Sequence, residues 1–233
     1  QFYAGQYGVA LDSEEMPQHH LNQFGIKIDE YVTHHDSHAS AGYFTSGFKD
    51  AVILTVDAIG EWETISISKG YNQKAIESME QVRYPNSIGI LYSAFTQRCG
   101  LKPAEEEYIL MGMSAYGTPK YKEDIYRDFV VRHPFKLKRN VHKGIGDWHP
   151  EADVMDLAAS IQAVTEECLA DLWQRASRYS GFGNRNLVYA GGVALNCAAN
   201  RTLADLGLFD KVWIIPNPGD AGSSLGCIAA SER

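Results

Sequence analysis

Three histidines and an aspartate crowd five positions of the stretch YVTHHDSHASAGYF, residues 31–44. His34 and His38 stand four apart. On a helix their imidazoles share one face with Cβ atoms roughly 5–6 Å apart, a span that can chelate one metal ion. His35 and Asp36 point to other faces. The competing reading is a polar, solvated first helical turn. Position favours the metal: residues 31–33 read as a strand, which places the histidines at a strand's carboxyl end, where α/β folds build their sites.

Two aspartates extend the set. Asp57 closes the apolar run AVILTVD (51–57) before a turn containing Gly60. It reads either as a turn former or as an oxygen ligand for the same metal or for a phosphate-bound cation. Asp220, in PNPGDAGSSLG, follows a strand and precedes a helix. Asp is a favoured N-cap there, and an N-cap facing a site can also serve as a ligand. Two glycine turns, AGGVALN (190–196) and GDAGSSLG (219–226), each join a strand to a helix. Such turns let backbone N–H groups approach a phosphate or nucleobase, and two in succession point to nucleotide binding. A rival reading takes His34-His35-Asp36 with a distal His142 or His149 as the 2-His-1-carboxylate triad of a non-haem iron oxygenase. That chemistry sits in all-β jelly rolls, whereas the second half of this chain alternates strand and helix.

The elements that must position these residues follow from periodicity. AVILTVD, the turn AIGE and the alternating ETISISKG read as a β-hairpin at the edge of a sheet. Helical spacing runs through 87–100 and 105–117, each stopping at a glycine. The basic, His-containing stretch from Arg132 to Pro150 reads as a linker. The longest helix spans Asp153 to Arg178, its apolar residues stepping by three and four. NLVYAGG, ALNCAANRTLADLG, KVWIIPN and DAGSSLGCIAASE then give strand, helix, strand, helix. Parallel strands with crossover helices make an α/β domain.

Composition narrows the function classes. A net charge of −8 argues against an RNA-binding surface. The four cysteines form no CxxC pair, which predicts free, buried thiols in a reducing compartment. No apolar run approaches the roughly 18 residues of a membrane span, and no signal peptide is seen. The chain therefore reads as soluble and cytoplasmic. Its ends, Gln1 in a Gly- and Tyr-rich stretch and AASER inside a helix, read as cuts in something longer.

Taken together, the blocks HHDSHASAGYFTSGF, AVILTVDAIGEWETISI, PNSIGILYSAFTQRCGL, EYILMGMSAYGTPKY, LAASIQAVTEE, LVYAGGVALNCAAN and VWIIPNPGDAGSSLG resemble the carbamoyltransferases of nodulation-factor and antibiotic biosynthesis, the cephamycin and nebramycin enzymes among them. The resemblance covers most of residues 31 to 230. It implies part of an actin/sugar-kinase-type ATPase fold, with mixed sheets and crossover helices, similar to the enzyme that transfers threonylcarbamoyl to tRNA. Residues 1–140 would belong to the first half, with the HxxxH and the TVD strand. Residues 150–233 would form the second half, with the AGGVALN and PGDAG nucleotide loops.

The resemblance also implies a metal, iron in at least some members with zinc or magnesium as alternatives, bound by His34, His38, Asp57 and Asp220. It implies ATP and carbamoyl phosphate as substrates of an adenylate-forming domain that this chain lacks. The domain seen here would pass carbamoyl from carbamoyl-adenylate to an acceptor hydroxyl. Gly60, Glu107, Gly191, Gly192, Asn196 and Gly222 are the candidates for holding the nucleotide or carbamoyl-adenylate; His35, Asp36 and Glu61 are candidate general bases. Ile109 and Ala115 stand where the family usually has lysine and proline, and no HDxSA phosphate loop precedes Tyr31. Threonylcarbamoyl transfer to tRNA and a non-catalytic nucleotide-binding module are the alternatives; the acidic balance speaks against the first, the two-histidine set against the second.

Overall fold

The computed structural model describes residues 15–181 and 185–232; the Gly- and Tyr-rich opening stretch lies outside them. A short helix α1 (Glu15–Asn22) precedes α2 (His34–Thr45), and three strands follow, β1 (Ala51–Gly60), β2 (Glu63–Tyr71) and β3 (Ala75–Arg83). Next come α3 (Ile88–Arg98), α4 (Glu107–Met113), α5 (Lys122–Asp128) and a small hairpin of β4 (Val130–Val131) and β5 (Lys136–Leu137). The long α6 (Val154–Ser177), β6 (Asn186–Ala190), α7 (Cys197–Ala204), β7 (Lys211–Trp213) and α8 (Asp220–Ser231) complete the order.

Five strands form one sheet in the order β3-β2-β1-β6-β7. β1 pairs antiparallel with β2 and parallel with β6, which is itself parallel to β7. Strands from before and after residue 150 thus share one layer. Alternation along β1 sends Val52, Leu54 and Val56 into a core with α3 and α6 residues such as Phe95, Leu169 and Trp173. Ala51 and Ile53 face the other way, onto Ala39 and Tyr43 of α2. Each large apolar side chain so enclosed contributes about 1.5–3 kcal/mol relative to exposure. Among the described residues, no helix is long and apolar enough to cross a membrane.

Several sequence expectations change. β1 is the central strand, not an edge; the edge is β3, whose sequence AIESMEQVR is too polar to announce a strand. β1 also runs past Asp57 to Gly60, with a register slip between Val56 and Gly60, so the turn falls at Glu61 and Trp62. Residues 31–33 form no strand: Thr33 is the extended N-cap of α2, its hydroxyl accepting from the Asp36 N–H. The stretch 132–150 is packed, not a linker. Trp148 stacks edge-on against Phe95 and Phe129, and Arg98 donates to the carbonyls of Trp148 and His149 at 2.7 and 2.6 Å. All four cysteines are unpaired, but Cys197 and Cys227 are exposed rather than buried.

Candidate metal centre

Three elements bring four side chains to one point. The start of α2 supplies His34 and His38. Glu61, in the β1–β2 turn, accepts from the His34 N–H at 3.2 Å and from the Tyr31 hydroxyl, and so fixes where the helix begins. Gly60 makes room for the His34 ring, because a Cβ there would lie 2.3 Å from His34 Cδ2. β1 supplies Asp57. Its Oδ1 accepts the Ala58 N–H at 2.7 Å, which turns Oδ2 toward the imidazoles. α8 supplies Asp220 from its first turn, and it crosses close over α2 because Gly226 has no side chain to meet Ser37 O.

The ligand atoms converge tightly. Asp57 Oδ2 lies 3.0 Å from Nε2 of both His34 and His38, and those two nitrogens are 3.0 Å apart. Asp220 Oδ1 stands 3.5 Å from His34 Nε2 and 3.3 Å from His38 Nε2. Ligands about 2.0–2.1 Å from one ion are separated by about 3.3–3.4 Å in a tetrahedron and by about 2.8–3.0 Å at adjacent corners of an octahedron. The measured separations fall in this span. Two imidazole nitrogens with two carboxylate oxygens suit zinc and iron, and the carboxylates also suit magnesium. The residues present fit a metal.

Electrostatics agree with the geometry. Burial would push the enclosed His38 imidazole down, but the carboxylates of Asp220 and Asp57 outweigh it and raise the group to about 9. Burial would raise Asp57, yet hydrogen bonds from His34 and His38 hold it well below the usual carboxylate range. The site therefore concentrates two carboxylates on two imidazoles, a charge pattern that a divalent cation could also neutralise. His35 behaves differently: burial lowers it to about 4, so it is neutral at pH 7, with Nδ1 2.9 Å from Ser66 Oγ.

Beside the tetrad opens a cavity of about 450 Å³, with Asp57 and Asp220 in its wall together with Tyr92, Glu107, Met111 and Leu195. Gly192 also lines it, and its missing side chain keeps Asp57 open: a Cβ there would stand 3.0 Å from Asp57 Oδ1. Other expected residues serve the scaffold. The N–H of Gly191, which adopts φ +91°, donates to Pro218 O at 3.0 Å, and that of Gly222 to Gly219 O at 3.0 Å, so neither is left for a phosphate. Asn196 lines the cavity, but it caps α7 through the Ala199 N–H and exchanges two hydrogen bonds with Gln162 at 2.9 and 3.1 Å. Asp36 is exposed and accepts from the Thr33 hydroxyl, and with His35 and Glu61 it is held away from the cavity. Asp220 is not the cap of α8. Gly219 holds that position, and the Asp220 side chain, 77% exposed, is free to serve the site. The rival's histidines lie elsewhere: His149 pairs with Asp124 and His142 stacks on Tyr84.

The sequence reading passed over Tyr92, which lines the cavity beside Asn196, and the buried Gln162 behind them; the Tyr92 hydroxyl donates to Gln162 at 2.9 Å. A buried glutamine inside the apolar stripe of α6 was the signal available.

The chain is 38% identical over 216 residues to the uncharacterised protein sll1178 of Synechocystis sp., covering 83% of this chain and 35% of the relative. It is 28% identical over 237 residues to nodulation protein NolNO of Sinorhizobium fredii, covering 94% and 34%. The chain thus spans about a third of the length of these curated relatives. Among solved structures it resembles component A of (R)-2-hydroxyglutaryl-CoA dehydratase from Acidaminococcus fermentans, with a TM-score of 0.54 at 14% identity over 92% of this chain and 72% of that one. Full-length HypF in its phosphate- and nucleotide-bound form gives 0.54 at 13% identity, over 90% and 37%. At such identities the likeness speaks for the fold alone, the actin/sugar-kinase type of α/β architecture. The profile of the carbamoyltransferase N-terminus matches residues 19–230, all four converging ligands included, and on that match the chain belongs to the carbamoyltransferase family.

Proposed function

We propose that this chain transfers carbamoyl from carbamoyl-adenylate to an acceptor hydroxyl, as the transferring part of an O-carbamoyltransferase. The carbamoyl-adenylate comes from carbamoyl phosphate and ATP, made by an adenylate-forming domain of the longer protein or of a partner. One observation carries the reading: the metal-ligand tetrad opens, through Asp57 and Asp220, onto a cavity sized for a small molecule.

The mixed anhydride needs its carbonyl polarised, its phosphate charge held and the acceptor's proton removed. His34, His38, Asp57 and Asp220 would hold a divalent ion, iron first and zinc or magnesium after it, which supplies a Lewis acid at the cavity wall. Asp57 is fixed on the rigid central strand, so the site is built before substrate arrives. Gly192 leaves the approach to Asp57 clear. Ile88, Met111, Val193 and Leu195 line the cavity with apolar surface, which limits water around the reacting group.

The test uses the 233-residue chain, reconstituted with Fe(II) or Zn(II) and given chemically prepared carbamoyl-adenylate with glycerol or water as acceptor. AMP release should require the metal and fall on the order of 100-fold in His38→Ala. Equal AMP release by wild type, metal-free protein and His38→Ala would overturn the reading.

A further inference from the structure

The three candidate bases named from the sequence are engaged elsewhere, yet the reaction proposed above must take a proton from the acceptor. On the cavity wall, Asp57 and Asp220 belong to the tetrad, the Tyr92 hydroxyl donates to Gln162, and Asn196 spends its amide on Gln162 and Ala199. Glu105 is exposed and paired with Lys102 Nζ at 2.6 Å. Glu107 remains. It is the half-buried first residue of α4 and lines the same cavity as Asp57 and Asp220.

Glu107 is held at one oxygen and open at the other. Oε1 accepts the Ser93 hydroxyl at 2.5 Å and the Ala104 N–H at 2.6 Å. Among the described residues, no hydrogen-bond donor and no cation is paired with Oε2. The backbone is bent to achieve this. Ala104 adopts φ 64°, a left-handed conformation rare for a residue with a Cβ, and the 102–106 turn is tied by Glu106 accepting the Lys102 N–H at 2.7 Å. Strain of this kind collects where a functional group must be aimed.

We propose that Glu107, through Oε2, is the general base that orients the acceptor hydroxyl and takes its proton. The inference rests on the carbamoyl-transfer reading. In the step, the acceptor oxygen forms a bond to the carbamoyl carbon while its proton passes to Glu107 Oε2. The bond between that carbon and the phosphate oxygen breaks, and AMP leaves with the electron pair. The products are the O-carbamate, AMP and a protonated Glu107, which returns its proton to solvent. No oxidant or reductant is needed.

The experiment compares two nucleophiles on carbamoyl-adenylate with the metal-loaded 233-residue chain. Glycerol needs a base; hydroxylamine attacks through a nitrogen lone pair that is free at neutral pH. E107Q keeps the Oε1 acceptor and the side-chain size. It should lose 10²–10⁴-fold of AMP release to glycerol and stay within about threefold of wild type with hydroxylamine. Metal content should be unchanged. S93A, which keeps the carboxylate but removes one of the two donors that hold Oε1, should lose about tenfold with glycerol only, and it decides the matter if E107Q fails to fold. Equal losses with both nucleophiles, or no loss with either, overturn the role of Glu107 while leaving carbamoyl transfer standing. Absence of metal-dependent AMP release in wild type instead removes the reading itself, and this inference with it.

Discussion

His38 is almost wholly enclosed, and its Nε2 faces two carboxylates and a second imidazole at 3.0–3.3 Å. Its raised value near 9 means that metal-free protein carries a proton there at neutral pH, which an incoming ion must displace. Affinity should therefore climb about tenfold per pH unit from 7 toward 9, and binding at pH 7 should release about one proton. Titration calorimetry in two buffers of different ionisation heat measures that proton directly; a pH-independent affinity with no proton released would contradict the arrangement. The linkage sign is worked from the same value. Without metal, the stability contributed by the raised His38 is fully present below about 6.5, the ordinary histidine value, as long as Asp57 stays ionised, and is lost as pH rises through about 9. At this scale the sequence was informative where chemistry is local. The four-residue spacing of His34 and His38 could be read directly, whereas Asp57 and Asp220 stood open between turn former or cap and ligand until the family resemblance grouped them with the histidines. Gly191, Gly222 and Asn196 could not be placed, because the groups that occupy them, Pro218, Gly219 and Gln162, are chosen by tertiary packing or by a turn whose geometry is not written in its residue types.

Helices α2 and α8 position three of the four candidate ligands, and their separation is set by glycine. A Cβ at Gly226 would sit 1.7 Å from Ser37 O and 2.8 Å from Ala41 N, so Gly226→Ala must push α8 away from α2 and carry Asp220 with it. In an exposed helix the same change stabilises by about 1 kcal/mol. Here it should cost about 1–3 kcal/mol from overpacking and weaken metal binding more than tenfold. Chemical denaturation in excess chelator and metal titration read the two effects apart, and an unchanged metal affinity would show that α8 does not set the site. Elements were legible in proportion to their hydrophobic pattern. α6 shows its stripe and its Asp153 cap, and was located to within a residue. β3 packs little apolar surface and gave no signal. Tyr31-Val32-Thr33 has the β-branched and aromatic content of a strand, but Thr33 with Asp36 three residues on forms a helix cap, and the local hydrogen bond prevails.

Across the whole molecule, one sheet gathers β1 and α2 from early in the chain and α8 from its far end into a single site beside one cavity. The alternation of strand and helix after residue 185 made the α/β class readable, whereas the insertion of β6 beside a central β1 depends on long-range pairing. The central claim is that His34, His38, Asp57 and Asp220 together hold one metal ion. Elemental analysis of the purified chain, repeated on the His34→Ala/His38→Ala double variant, tests it most directly. The account predicts close to one Fe or Zn per chain in the wild type and loss of that metal in a double variant that stays folded. Stoichiometric metal persisting in the double variant would contradict it.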